Sequence, residues 1–210
     1  MGIITAITPQ QKAKNRVNVY VDGQFAAGLS NETAANLRVG QVVTAGQIAE
    51  LVSGDTFVKA RHKAMQLIGR RPRSQAEIRR SLRRQEFDEA VIDQVIAHLG
   101  ESKLLDDEGF GRYWVEQRET FKPRSHLALR QELQQKGLNR EEIEAALAGV
   151  DESEMAYRAA VHQASRLSHL PQDELRLKLA TFLQRRGFHY TTIRETIERI
   201  LEEMGNRTPD

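Results

Sequence analysis

One segment of the chain, Pro72–Ile96, reads PRSQAEIRRSLRRQEFDEAVIDQVI, and a second, Pro123–Leu147, reads PRSHLALRQELQQKGLNREEIEAAL. When their Pro-Arg-Ser triplets are aligned, apolar residues fall at the same later positions. A third copy has apolar residues at Leu179, Leu183, Phe188, Ile193 and Ile197. A period of about fifty residues with matched apolar sites is the signature of a helical repeat architecture. Because stacked helical repeats build extended surfaces, the repeat favours binding over catalysis.

The overall composition is typical of a cytoplasmic protein. The chain has 210 residues, no cysteine and a formal net charge of +2, and the lack of cysteine excludes disulfides and cysteine-based zinc sites. Residues 1–6 (MGIITA) lack the basic and long apolar regions of a signal peptide. No apolar run approaches the roughly 20 residues that span a bilayer. We therefore expect a soluble cytoplasmic protein without membrane contact, and we take it to be a monomer.

The N-terminal residues predict a small α+β unit. Valines alternate with polar residues before Asp22-Gly23, a strong two-residue hairpin turn, so residues 16–29 are predicted to form a β-hairpin. Residues 3–7 and 42–43 could add further strands. A short helix is expected over 31–38, and the capping pattern of Thr44 and Gln47 predicts a helix that ends near Gly54.

From residue 55 onward the pattern predicts helices alone, nine of them over residues 55–204. Their expected N-caps are Asp55, Ser74, Asp88, Asp106, Ser125 and Asn139. The predicted domains are 1–54, 55–104, 105–152 and 153–210. The predicted fold class is mainly α: three tandem three-helix repeats that form an elongated array, preceded by a small α+β unit that contains the hairpin.

Four motifs resemble those of the RecX regulatory proteins, and together they cover most of the chain. Leu104–Tyr113 (LLDDEGFGRY) is similar to that family's Leu-x-Asp-Asp-x-x-Phe-Ala-x-x-Tyr, and Leu129–Leu138 (LRQELQQKGL) to its Leu-x-x-Glu-Leu-x-x-Lys-Gly-Ile. Arg71–Leu82 and Phe182–Phe188 (FLQRRGF) match its Arg-Pro-Arg-Ser and Phe-Leu-x-Arg-Arg-Gly-Phe motifs. One departure is Glu86, which stands where a glycine often closes the second helix of the first repeat.

This resemblance implies a non-enzymatic regulator of the RecA recombinase. Members of the family bind the RecA–DNA filament, lie along its groove, and limit strand exchange, ATP hydrolysis and the coprotease activity that triggers the SOS response in DNA repair. The resemblance thus implies the RecA filament as the partner, with single- or double-stranded DNA as a weaker possibility.

The residues themselves indicate no catalytic, metal or cofactor site. Adjacent carboxylates in Asp106–Glu108 point about 100° apart on a helix, so they suit a helix N-terminus better than a metal ion. No two of the six histidines are three or four residues apart, the spacing that places a helical pair on one metal. On the same helix, aromatic residues could stack on the bases of a single strand, but the spacing of Phe110, Trp114 and Phe121 favours a core stripe, and Tyr113 is expected near the surface.

Positive charge is concentrated in the first repeat. Residues 57–84 contain ten Lys or Arg and one acid, Glu77. Like charges at i, i+4 repel by a few tenths of a kcal/mol, so an anionic partner could compensate them; a solvated helix face is the alternative interpretation. The candidate partner-binding residues are Arg73, Arg79, Arg80, Arg83 and Arg84, with Tyr113, Arg130, Arg185 and Arg186 in later repeats.

Two chemistries remain open for the anionic partner, DNA phosphate and acidic residues of RecA. The alternative function is that of a direct DNA-binding helical protein of the transcription-regulator type. Salt dependence distinguishes the two functions, because binding to naked DNA weakens steeply as salt rises.

Overall fold

A computed structural model describes residues 1–11 and 13–206. The chain divides into two compact units, Met1–Leu105 and Asp106–Asp210. The first unit contains a small sheet and a helical bundle, and the second unit is helical throughout its described part. The predicted fold class, mainly helical with a small N-terminal unit of antiparallel strands, is confirmed.

The N-terminal sheet has four strands in the order β3-β2-β1-β4, and its neighbouring strands are antiparallel. The strands are β1 (Gly2–Gln10), β2 (Ala13–Val21), β3 (Gln24–Ser30) and β4 (Val42–Val43). Asp22 and Gly23 both have positive φ, 50° and 81°, as a type I′ hairpin turn requires. The predicted hairpin and both additional strands are therefore confirmed.

The short helix after the hairpin, α1 (Asn31–Ala34), ends earlier than residue 38. Residues 40–41, which follow, are hydrogen-bonded to β1: Ile4 donates its backbone N–H to the Gln41 carbonyl (2.9 Å), and Gly40 donates its backbone N–H to the Ile4 carbonyl (2.8 Å). A helix that continued to residue 38 would compete with this pairing.

The next helix, α2 (Ala45–Ile68), is continuous through Gly54 and Asp55. The predicted helix end at Gly54 and the predicted N-cap at Asp55 are both wrong, although the capping box of Thr44 with Gln47 is confirmed. Asp55 is buried (2% exposed) and bonds to the sheet instead of capping a helix. The division into four domains stays a prediction, and its first boundary falls inside α2.

The first bundle consists of α2, α3 (Gln75–Arg83) and α4 (Glu89–Glu101). The predicted apolar positions of α3 and α4 are buried, and they pack in one cluster with Ala60 and Ala64 of α2. The core residues of α3 and α4 are Ile78, Leu82, Ile92, Val95, Ile96 and Leu99. Small residues on α2 allow this close packing, which explains why a long helix can serve both the sheet and the bundle.

The second unit contains two further three-helix sets with one shared core. The helices are α5 (Asp107–Phe121), α6 (His126–Lys136), α7 (Arg140–Leu147), α8 (Glu152–Arg166), α9 (Gln172–Arg185) and α10 (Tyr190–Gly205). Over the described residues, α3–α10 correspond to eight of the nine predicted helices, and the first predicted helix is the second half of the longer α2. None of the helices described between residues 1 and 206 combines the length and hydrophobicity that a bilayer crossing requires.

The turn between the last two helices of each set uses a left-handed residue at the same repeat position. Gly137 (φ 91°) and Gly187 (φ 87°) occupy it in the second and third sets, and Glu86 (φ 61°) occupies it in the first. A non-glycine residue is strained in this region. The departure of Glu86 from the family pattern therefore has a local conformational cost.

Candidate basic interface

The first basic face consists of Arg73, Arg79, Arg80, Arg83 and Arg84, and carboxylates from α4 partly neutralise it. Arg79 forms an ion pair with Asp93, and Arg83 donates to Glu89 at 2.9 Å. The hydrogen bond from Arg83 holds the pKa of Glu89 below its ordinary value. Glu77 is therefore not the single acid near these arginines, because the packing of α4 against α3 brings Glu89 and Asp93 beside them.

The other members of this face differ in their surroundings. Arg73 lies 3.8 Å from Glu77, which also pairs with Arg71 at 3.0 Å, so Glu77 holds the loop before α3. Arg80 and Arg84 are exposed at the end of α3. Arg83 is exposed as well, although it pairs with Glu89, so the exposed members of the first basic face are Arg80, Arg83 and Arg84.

Some candidate residues of the second unit contact other residues of the protein or are half-buried, and others are exposed to solvent. Arg130 pairs with Glu144 at 2.9 Å, and Tyr113 is half-buried. Arg185 is exposed at the end of α9. We therefore retain Arg185 as the most accessible candidate of this group, and its role stays a prediction.

Arg186 has a structural role that its sequence position did not reveal. Its Nη1 donates to the Pro123 carbonyl at 2.8 Å, its guanidinium lies 4.5 Å from the centre of the Phe182 ring, and its carbonyl accepts from the Ser125 N–H at 3.2 Å. Burial, and then the nearby charge of Arg124, lower the pKa of Arg186. Arg186 thus joins the second and third helical sets.

Sequence reasoning missed a basic cluster around Glu132. The Glu132 carboxylate accepts from Trp114 Nε1 (2.8 Å) and Arg118 Nε (2.7 Å), and it lies 3.0 Å from Arg124 Nε. Arg118 and Lys136 both lie over the Trp114 ring, at 4.6 and 4.5 Å from its centre. The i, i+4 spacing of Trp114 and Arg118 was visible in the sequence, but the approach of α6 to α5 was not.

The aromatic stripe on α5 is only partly core. Phe110 is buried (2% exposed) and stacks with the half-buried Trp114. Phe121 is 75% exposed, so its predicted place in the core is wrong. Phe121 is the last residue of α5. The chain leaves the helix through Pro123 directly afterwards, and the Phe121 ring stays at the surface.

The described residues bring no group of three or more potential metal-ligating His, Asp or Glu side chains together. The arrangement of charged and aromatic side chains suits ion pairing and stacking with a macromolecular surface.

Three family models match successive parts of the chain. The Regulatory protein RecX N-terminal domain matches residues 2–44, the RecX first three-helix domain matches residues 60–99, and the RecX second three-helix domain matches residues 106–147. These matches correspond to the sheet, to the α2–α4 bundle and to α5–α7.

Several curated relatives are similar over most of their length. A Regulatory protein RecX of Chlorobaculum tepidum is 36% identical over 145 residues, which cover 69% of this chain and 90% of the relative. One of Clostridioides difficile is 27% identical over 206 residues, which cover 96% of this chain and 97% of the relative. A solved crystal structure of regulatory protein RecX superimposes with a TM-score of 0.71 at 23% identity over 95% of this chain and all of that one, which supports the fold alone.

Proposed function

We propose that this chain, which belongs to the RecX family of regulatory proteins, binds the RecA–DNA filament and limits its activities. The observation that carries the proposal is the similarity to relatives named Regulatory protein RecX over nearly the whole chain. The RecA activities that it inhibits in this proposal are strand exchange, ATP hydrolysis and the coprotease function of the SOS response. The chain acts as a non-enzymatic, cytoplasmic monomer in this proposal.

The exposed ends of α3 and α9 support a filament-binding role. Arg80 and Arg84 project from the first unit and Arg185 from the second, and guanidinium groups bind carboxylates through paired hydrogen bonds. Arg79 and Arg83 form ion pairs with Asp93 and Glu89 within the protein, and Arg80 Nε donates to the Ala76 carbonyl at 3.3 Å. We assign the partner contact to Arg80, Arg84 and Arg185 because their side chains are exposed, and we place Arg79 and Arg83 second because each would have to leave an ion pair to reach a partner.

The direct test is RecA-dependent ATP hydrolysis on single-stranded DNA with increasing amounts of this protein. We expect the steady-state rate to fall to a plateau that depends on the molar ratio to RecA. The control is the same titration with protein that has been unfolded by heat. A rate unchanged at saturating concentration contradicts the proposal.

A further inference from the structure

The loop between α5 and α6 and the end of α9 form one surface of the second unit. Phe121 is 75% exposed and Lys122 beside it is exposed. Pro123 follows directly, and its carbonyl accepts the hydrogen bond from Arg186 at 2.8 Å. This contact places the exposed phenyl ring and the Arg186 guanidinium on neighbouring segments. We call Phe121, Lys122, Arg124, Phe182 and Arg186 the Phe121 surface.

The positive charge of the Phe121 surface is incompletely balanced. Arg124 lies beside Glu132, but that carboxylate also serves Arg118 and Trp114. Arg186 has no carboxylate partner among the described residues, and burial and the charge of Arg124 both disfavour its charged form. An anion that contacted Arg124 and Arg186 together would relieve this repulsion.

The first repeat has an arginine at the position of Arg124, and the acid beside it differs from that in the second repeat. Arg73 aligns with Arg124, and Glu77 beside Arg73 pairs with both Arg73 and Arg71. In the second repeat, Ala128 occupies the position of Glu77. The arginine at this repeat position therefore shares a carboxylate with one other arginine in each repeat, Glu77 in the first and Glu132 in the second, but the second repeat adds Arg186, whose burial beside Arg124 disfavours its charged form.

We propose that the Phe121 surface binds single-stranded nucleic acid, with backbone phosphates against Lys122, Arg124 and Arg186 and a base stacked on Phe121. Arginine's fork of N–H donors matches a phosphate group. Single-strand sites combine a positively charged groove with aromatic side chains on which bases stack, and Phe121 is an exposed ring directly before Lys122 in the chain. A single strand is favoured over a duplex because a base that is already paired and stacked does not offer its face to Phe121. This binding requires no recombinase, so it can succeed or fail independently of the RecA proposal.

The test is fluorescence anisotropy of a labelled oligo-thymidine, with the full chain at low salt and no RecA present. Phe121→Ala should weaken binding about 5-fold or more, because stacking on an aromatic contributes substantially to each bound base. The matched control is Leu177→Ala, which removes an exposed apolar side chain (68% exposed) elsewhere in the same unit. The control should leave the affinity within about 2-fold of the parent.

The charge contribution is tested by neutralising one cation at a time. Lys122→Gln and Arg124→Gln should each lower the slope of log affinity against log salt by about 0.7, the value for one phosphate contact on a single strand. Arg112→Gln is the control with the same loss of charge, since Arg112 is an exposed residue paired with Glu108. Lys122 is exposed at the helix end, so its variant remains informative if the loss of Arg124 disturbs Glu132.

Three results would overturn the proposal. The first is the absence of oligo-thymidine binding at low salt. If the chain then binds poly-glutamate instead, the surface is assigned to an acidic protein. The second is binding that Phe121→Ala and Lys122→Gln change no more than their controls do. The third is equal affinity for a duplex of the same length with equal loss in Phe121→Ala, because stacking on an unpaired base predicts a preference for the single strand.

Discussion

The carboxylate of Asp55 accepts a hydrogen bond from the backbone N–H of Ser30 at 2.6 Å. Ser30 ends β3, an edge strand, and Asp55 lies in the middle of α2. Arg16 of β2 (2.9 Å) and Lys59 of α2 (2.8 Å) complete the shell of this buried acid. The contact satisfies an edge N–H and fixes the helix against the sheet. It explains why the sheet and the first bundle form one compact unit.

Replacement of Asp55 by asparagine should destabilise the first unit. The variant leaves Arg16 and Lys59 without their shared carboxylate, and removal of one partner of a buried ion pair costs about 3–5 kcal/mol. Because Lys59 is half-exposed, we expect a loss at or below the bottom of this range, about 2–3 kcal/mol, in urea unfolding followed by circular dichroism. Asp93→Asn, which removes an exposed pairing with Arg79, is the control and should cost at most about 1 kcal/mol. Equal losses in the two variants would contradict the structural role of Asp55.

The same acid should make stability depend on pH. Burial alone raises the pKa of Asp55, but hydrogen bonds from Lys59, Arg16 and the Ser30 N–H outweigh it and lower the pKa below the ordinary 3.8. A lowered folded-state pKa gives stability that is complete above the unfolded pKa and is lost as pH falls through the folded value. The difference in unfolding free energy between the parent and Asp55→Asn should therefore be constant near neutral pH and should shrink below about pH 4. A difference that grows as pH falls would show that the sign is wrong.

Substitution of Glu86 by glycine should stabilise the protein. Glu86 has φ 61°, and glycine occupies the same position of the other two sets. Relief of the left-handed strain is worth about 1–2 kcal/mol, and the greater freedom of glycine in the unfolded chain offsets part of it. We expect a net gain of about 0.5–1 kcal/mol, measured as an upward shift of the thermal midpoint.

The reciprocal variant provides the control for that experiment. Gly187→Ala places a side chain at φ 87°, with its Cβ only 2.7 Å from Ser125 Oγ, so it should be clearly destabilising. If Glu86→Gly lowers the midpoint, side-chain contacts of Glu86 outweigh the backbone strain.

Neutralisation of the accessible arginines of α3 should weaken inhibition of RecA. Arg80→Gln with Arg84→Gln removes two exposed charges, and we expect the concentration for half-maximal inhibition of RecA ATP hydrolysis to rise about 5-fold or more. The matched control, Arg112→Gln with Arg158→Gln, removes the same charge from arginines that have i, i+4 carboxylate partners. Identical inhibition curves for the two double variants would exclude the end of α3 as the contact surface.

Local sequence patterns were sufficient for most of the fold. The Asp22-Gly23 turn, the capping boxes of Thr44 and Asn139, and the apolar register of Ile78 and Leu82 all depend on residues within a few positions of one another. Helix periodicity and capping act over this range, so these features could be predicted without knowledge of the tertiary structure. The family motifs extended the same information to the order of the helical sets.

The candidate interface depended on contacts between elements that are distant in sequence. Asp55 looked like a helix cap because glycine often ends a helix and aspartate often caps the next one, but the edge of β3 provides a part-buried N–H that needs an acceptor. Arg79 looked unpaired until α4 brought Asp93 beside it. Phe121 has the spacing of a core residue, and only the course of the chain through Pro123 leaves it exposed. The sequence determined which helices form and which of their faces are apolar. The packing of those helices decided which charges are neutralised and which side chains remain accessible. The reason is that ion pairing and burial depend on distances between elements, which local patterns do not encode.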